Sequence, residues 1–168
     1  PTGSGKTRLL QALAQTGAQV LDLEAIACHR SSVLGLIPGT PQPSQKAFDT
    51  QVWDALRGFS PDRPVFVEAE SKKVGNLTVP AELMVAMRAS PCLRVDLSLD
   101  NRVNLLLEDY AFFTQDRALF AERLERLTAL RGNAMVQGWQ ARIERGEMRE
   151  VVTELLSGHY DPGYENST

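Results

Sequence analysis

Pro1-Thr2-Gly3-Ser4-Gly5-Lys6-Thr7 opens the chain, and its reading decides the fold. A phosphate loop runs Gly, four residues, then Gly-Lys-Ser/Thr. This stretch supplies all of that pattern except the first glycine, which would fall immediately before Pro1. Small residues let successive backbone N–H groups converge on phosphate oxygens, and the helix after them turns its positive end toward the anion. Gly3, Ser4, Gly5, Lys6 and Thr7 are therefore expected to bind phosphate. Lys6 adds a point charge at the terminal phosphate, and Thr7 is placed to ligate Mg2+ through its hydroxyl. An ordinary Gly/Ser turn ahead of a helix does not account for Gly-Ser-Gly-Lys-Thr running straight into Leu9-Leu10. A strand normally feeds such a loop, so the sequence reads as a piece of a longer protein, cut inside the motif.

Working outward, Leu9, Leu10 and Leu13 share one stripe of a helix over 5–15, which Gly17 stops. Short β-rich runs follow at 18–23 (AQVLDL), 63–69 (RPVFVEA) and 93–97 (LRVDL). Helices are predicted over 44–56, near 81–87, and over 103–110 with Asp100 as its cap. Loops are predicted at 38–43 and 71–80. Strands separated by helices at this spacing pair in parallel through crossovers. The predicted fold class is α/β, a doubly wound, mostly parallel sheet of the P-loop NTPase type spanning 1–114. Beyond Gln115, Phe120, Leu124, Leu127 and Leu130 recur at helical spacing. A helical extension over 115–168 is expected, punctuated by Gly132, Gly138, Gly146 and Gly158, with the last ten residues frayed.

The totals exclude several classes. With 168 residues, 43% hydrophobic and 23% charged, the chain has the composition of a globular domain rather than a disordered or fibrous one. No apolar run approaches the ~20 residues of a membrane span. A net charge of -3 gives no bulk attraction to nucleic acid, leaving a local basic face as the only electrostatic route to it. Cys28 and Cys92 lack metal spacing and read as reduced thiols of a cytoplasmic protein. Cys92, Trp53, Trp139 and the Phe112-Phe113 pair read as packing residues.

Acids end two of the predicted strands: Asp22 and Glu24 after Val20-Leu21, Glu68 and Glu70 after Val65-Phe66-Val67. Strand C-termini of an open α/β sheet flank the ligand crevice. Glu68 or Asp22 is thus a candidate to hold Mg2+ through water; the alternative is that these carboxylates cap helices or pair with Arg30, Lys72 and Lys73. Arg30, in His29-Arg30-Ser31-Ser32, is a candidate clamp for an anion, with His29 as proton donor or acceptor. Gln42-Pro43-Ser44-Gln45-Lys46 places amide, hydroxyl and ammonium donors at a helix start. They suit an anion or an RNA backbone, or else simply cap a surface helix. Arg102 either reaches the phosphates or pairs with Asp100 or Glu108.

Taken together, Gly17-Ala-Gln-Val-Leu-Asp-Leu-Glu24, His29-Arg30-Ser31, Gln42-Pro-Ser-Gln-Lys-Ala-Phe48 and Pro64-Val-Phe-Val-Glu-Ala-Glu-Ser-Lys72, behind the phosphate loop, resemble the C-terminal P-loop domain of bacterial tRNA 2-selenouridine synthases. The resemblance extends to about Tyr110. It implies a tRNA-modifying transferase that replaces sulfur by selenium in wobble 2-thiouridine. Selenophosphate is then the selenium donor, geranyl diphosphate gives a geranylated intermediate, and Mg2+ is a further candidate. It also implies an N-terminal rhodanese-like domain bearing the catalytic cysteine, a role neither Cys28 nor Cys92 inherits. On this reading Lys6, Arg30 and Glu68 are catalytic, Thr7 and Asp22 serve the metal, and Lys46, Lys72 and Lys73 contact tRNA, with no membrane partner. The sequence departs from the family at 25–28, where a Gly is expected before the His-Arg pair, and at Val33-Leu34, which replace a more aromatic segment. A small-molecule kinase, and a non-catalytic nucleotide- and RNA-binding module, remain the alternatives.

Overall fold

The computed structural model describes residues 1–30, 35, 37, 39–69 and 72–165. Ser31, Ser32, Val33, Leu34, Glu70 and Ser71 lie outside them. Helix α1 covers Lys6–Gln15, β1 Gln19–Leu21, α2 Leu23–Ala27, α3 Gln45–Arg57 and β2 Val65–Val67. The parallel pairing expected of the first two strands is present, with Gln19 opposite Val65 and Leu21 opposite Val67. Phe48 and Val52 on α3 bury against Leu21, Leu23 and Ala27, joined by Val74, Leu77, Val79 and Met84. Each such aliphatic or aromatic side chain, taken fully from water, contributes about 1.5–3 kcal/mol.

Two expectations for this part change. The segment 71–80, predicted as a loop, contains a hairpin of β3 (Lys73–Val74) and β4 (Leu77–Thr78), paired antiparallel, before α4 (Ala81–Ala89). Gly75 at its turn has φ +61, and a Cβ there would lie 2.4 Å from Gln42 Oε1, so glycine is required. The run 93–97 forms no strand. Leu93 is 80% exposed and Arg94 pairs locally with Asp96, so the alternating pattern has no sheet face to bury into. Among the described residues the doubly wound sheet is thus reduced to one parallel pair and one separate hairpin.

The remaining elements are helical: α5 (Leu99–Asp109), α6 (Ala111–Gln115), α7 (Arg117–Leu124), a 3-10 turn (Glu125–Leu127), α8 (Thr128–Arg131), α9 (Asn133–Glu144), α10 (Met148–Leu155), a π-helical turn (Leu156–Tyr160) and α11 (Asp161–Glu165). The cap of α5 is Ser98, whose hydroxyl accepts from Asn101; Asp100 sits within the first turn and meets Arg149. Leu124, Leu127, Val136, Ile143, Val151 and Leu156 are buried almost completely. Trp139 is also buried, and its indole donates to Glu154. The Arg142 guanidinium, then the Trp139 indole, hold the Glu154 carboxyl below its ordinary range. Gly132 and Gly146 end helices at positive φ, whereas Gly138 lies inside α9 and Gly158 inside the π turn. Of the last ten residues, 159–165 are helical, and 166–168 lie outside the described residues.

By its contacts the chain divides into one unit of Lys6–Leu93 and another of Pro1–Gly5 with Arg94–Thr168. Without a strand at 93–97, α5 belongs with the helices, packing on α10. No helix among the described residues is long and apolar enough to cross a membrane.

Candidate functional site

The loop before α1 has the backbone that its glycines allow. Gly3 and Gly5 take φ +74 and +81, a region that L side chains rarely adopt, and Ser4 lies between them. Alternating handedness turns successive N–H groups to one side, the geometry of an anion-binding nest. Ser4 is buried; its hydroxyl donates to the Pro1 carbonyl at 2.8 Å. The helix starts at Lys6, so its first-turn N–H groups have no partner within the helix.

Lys6 and Thr7 face the end of the parallel pair. Val67 is the last residue of β2, and Glu68 follows it directly, level with Asp22 after β1. Lys6 Nζ lies 3.2 Å from Glu68 Oε1. The Thr7 hydroxyl stands 3.3 Å from Glu68 Oε2 and 3.4 Å from Glu24 Oε2. A cation, a hydroxyl and two carboxylates thus meet at the C-terminal edge of the strands, where ligands of α/β sheets bind.

The sequence nominated Asp22 for the metal, but its carboxylate caps α2, accepting from the Ala25 N–H at 2.8 Å. Glu24 takes the place beside Thr7, because the first turn of α2 carries it round from the strand end. The signal that finds it is the acid three residues beyond a strand end, once the helix start is known. Magnesium suits this set, since Thr7, Glu24 and Glu68 offer only hard oxygen donors. No cluster of three or more His, Cys, Asp or Glu residues suited to a metal occurs among the described residues. An ion held there therefore needs the Thr7 hydroxyl and oxygens of the substrate or water.

Arg30 and His29 follow α2. His29 is buried, and its backbone N–H donates to the Glu24 carbonyl at 3.1 Å. The Arg30 N–H donates to Gly35 O at 2.8 Å, and a Cβ on Gly35 would fall 1.5 Å from the Arg30 carbonyl, so this crossing admits only glycine. Cys28, in the 25–28 stretch where the family resemblance leads one to expect a Gly, caps α2 with φ 49. Both cysteines are free, and Cys92 is exposed rather than packed. Trp53 is likewise 59% exposed, with Arg57 over its ring.

The Gln42-to-Lys46 motif divides its work. The Gln42 amide donates to Ala27 O and Val74 O and accepts from the Asn76 N–H. Gln45 donates to Thr78 O and accepts from Thr78 N–H, both at 2.8 Å. These amides are therefore structural clasps of the hairpin, and Ser44 caps α3 by accepting from Ala47. Lys46 remains exposed beside Gln45; Lys72 and Lys73 are exposed on the hairpin, with Thr78 the register partner of Lys73. The three lysines thus belong to one clasped substructure.

Arg102 is buried and does not pair with Asp100 or Glu108. Its Nε donates to Thr2 O at 2.8 Å, and its two terminal nitrogens meet both Asp161 oxygens at 3.0 and 2.6 Å. The arginine that a small-molecule kinase reading needs on phosphate is committed elsewhere.

A glycine nest running into a helix, with Lys and Thr facing acids at parallel strand ends, defines a P-loop domain of the α/β class. The chain belongs to the tRNA 2-selenouridine synthase family: residues 1–125 match the model of the tRNA 2-selenouridine synthase AAA domain. It is 35% identical to a tRNA 2-selenouridine synthase of Pseudomonas syringae pv. syringae, over 97% of this chain and 51% of that protein. A tRNA 2-selenouridine synthase of Nitrosomonas eutropha is 39% identical over 68% of this chain and 30% of its own length. One from Bdellovibrio bacteriovorus is 29% identical over 99% of this chain and 54% of its own. The chain thus spans about half the length of such relatives, or less. No solved structure matches it.

Proposed function

We propose that this chain is the phosphate-handling part of a tRNA-modifying transferase that converts wobble 2-thiouridine to 2-selenouridine. Selenophosphate is the selenium donor, and geranyl diphosphate supplies the prenyl group of a geranylated intermediate. Both co-substrates carry phosphate, and the loop holds the phosphorylated end. The carrying observation is the convergence of Lys6 and Thr7 with Glu68 at the strand edge, in a chain of this family.

When the loop is empty, Glu68 neutralises Lys6. The diphosphate end of geranyl diphosphate competes for the ammonium group and accepts from the loop and helix N–H groups. As the thiouridine sulfur bonds to the geranyl carbon, the carbon–oxygen bond breaks and the group leaves as pyrophosphate with its growing charge already matched. Such preorganised donors are typically the largest catalytic contribution. Mg2+, where bound, offsets phosphate charge beside Thr7, Glu24 and Glu68. Arg30 is the further anion contact. Lys46, Lys72 and Lys73 supply the tRNA-facing charge, and the rhodanese-like domain supplies the catalytic cysteine for selenium transfer. The site of action is the cytoplasm, where tRNA is modified.

Lys6→Ala in the full-length enzyme is expected to cost about 2–4 kcal/mol of transition-state stabilisation in geranyl transfer. Single-turnover assays with geranyl diphosphate and thiolated tRNA measure it; an unchanged rate rejects the proposal. Neutralising Lys46, Lys72 and Lys73 together should weaken tRNA binding and flatten its salt dependence while leaving pyrophosphate binding intact.

A further inference from the structure

The phosphate loop rests on α5. Gly3 packs so closely on α5 that a Cβ would lie 3.0 Å from Leu106 Cγ and 3.3 Å from the Arg102 carbonyl. A Cβ on Gly5 would lie 3.5 Å from Leu105 Cδ2. From the same helix Arg102 reaches back to the Thr2 carbonyl at 2.8 Å. Its guanidinium is only 8% exposed, and Asp161 holds the other two nitrogens in a bidentate pair. A buried guanidinium without a counter-ion is costly, so Asp161 is what permits Arg102 to sit under the loop. The planar fork also fixes Nε in direction, which a lysine at this place would not do.

Asp161 is delivered by an unusual piece of helix. The π-helical turn Leu156–Tyr160 separates α10 from α11, and Asp161 is the first residue after it. A π turn adds a residue to the helical repeat and so rotates the next turn relative to an unbroken α-helix. Independent contacts brace α5 against α10, where Arg149 reaches Asn104 and Asp100.

We infer that Arg102 and Asp161 are a positioning pair: the C-terminal helix, through a bidentate ion pair, holds the Thr2 carbonyl and hence the direction of the N–H groups in the phosphate loop. Neither residue touches the co-substrate. The consequence for phosphate affinity rests on the function proposed for the loop; the consequence for loop order does not.

The test compares the full-length wild type with Lys6→Ala, Asp161→Asn, Asp161→Glu and Arg102→Lys. Inorganic pyrophosphate binding is measured by calorimetry. Backbone hydrogen exchange is measured over 2–5 and, as an internal control, over the buried 136–143 stretch of α9. Asp161→Asn and Arg102→Lys should weaken pyrophosphate binding roughly 3- to 30-fold, the range for changes that act through a contact network. They should speed exchange over 2–5 and leave 136–143 unchanged, with Asp161→Glu recovering part of both. Wild-type exchange over 2–5 in Asp161→Asn overturns the inference. Equal loss of protection in both stretches also overturns it, because the pair would then serve only general stability. If Lys6→Ala binds pyrophosphate normally, the loop's function is wrong, while the exchange readout still judges the pair.

Discussion

The two units solve the problem of a small fold differently. Residues 6–93 have strands of only two or three residues, so few backbone groups are satisfied by a ladder. Glutamine amides fill that gap. Gln19 donates to the carbonyls of Ser60 and Arg63 and accepts from the Ser60 N–H, as Gln42 and Gln45 do for the hairpin. A primary amide donates and accepts at once, which a carboxylate or an ammonium cannot do. In residues 94–165 helices satisfy most of their own backbone and apolar stripes do the rest. Clasps such as Gln140 on the Ala121 carbonyl, Arg117 on that of Glu144 and Arg131 on that of His159 therefore join helices rather than stand in for a ladder. Other polar side chains there pair with one another, as Arg142 does with Glu154 and Arg145 with Glu147. Where regular structure is short, the polar side chains are consumed by the backbone, and those left over mark the site.

The largest effect expected from this contrast lies in the helical unit. Leu124→Ala removes a side chain with no exposed surface and should cost about 2–5 kcal/mol in urea unfolding. A loss under about 1 kcal/mol would mean that this core is not packed as described. Next is Gln42→Ala, which strands two carbonyls and one N–H of the clasped hairpin; about 1–3 kcal/mol is expected. Gln42→Glu should be nearly as harmful, since it loses both donors, and a neutral result for both variants would remove the clasp from the comparison.

Cys28→Gly should raise the urea midpoint slightly, by about 0.5–1 kcal/mol of stability, because a side chain at φ 49 is strained and glycine is not. A lower midpoint would show that the sulfur's packing outweighs the strain.

The most gradual effect is a pH slope in the helical unit. Burial first, and the neighbouring Arg131 second, push the His159 pKa below its ordinary value of 6.5. Arg131 Nε donates to His159 Nδ1 at 3.0 Å, a bond only the neutral ring accepts. Below about pH 6.5 the unfolded chain takes up a proton that the folded one resists, so stability rises with pH through that window and falls on acidification. Urea midpoints at about pH 7.5 and about pH 5.5 should differ less in His159→Gln than in the wild type; equal differences would exclude this histidine as the source.

Much of the site was legible because a phosphate loop is a local device. Gly3 and Gly5 are needed for backbone angles, Lys6 and Thr7 sit at fixed offsets from them, and the strand ahead of Glu68 showed itself by its apolar run. Asp22 was left open between metal and cap because capping depends on where α2 begins, which its five residues scarcely signal. The run 93–97 alternates like a strand, yet alternation records only that one face could be buried, not that a partner exists. Gln42 and Gln45 carried donors of the right kind for RNA, but the hairpin that takes them was hidden in a segment that reads as a loop.

The amino-acid order by itself determined the phosphate loop, the first two strands, the helical character beyond Gln115 and the family, because each is carried by neighbours in sequence. Tertiary structure alone decided which acid stands beside Thr7, what the glutamines hold, and that Arg102 lies beneath Thr2 in the grip of Asp161. Those choices join residues up to 100 positions apart, and only the folded chain brings their charges and hydrogen bonds within reach.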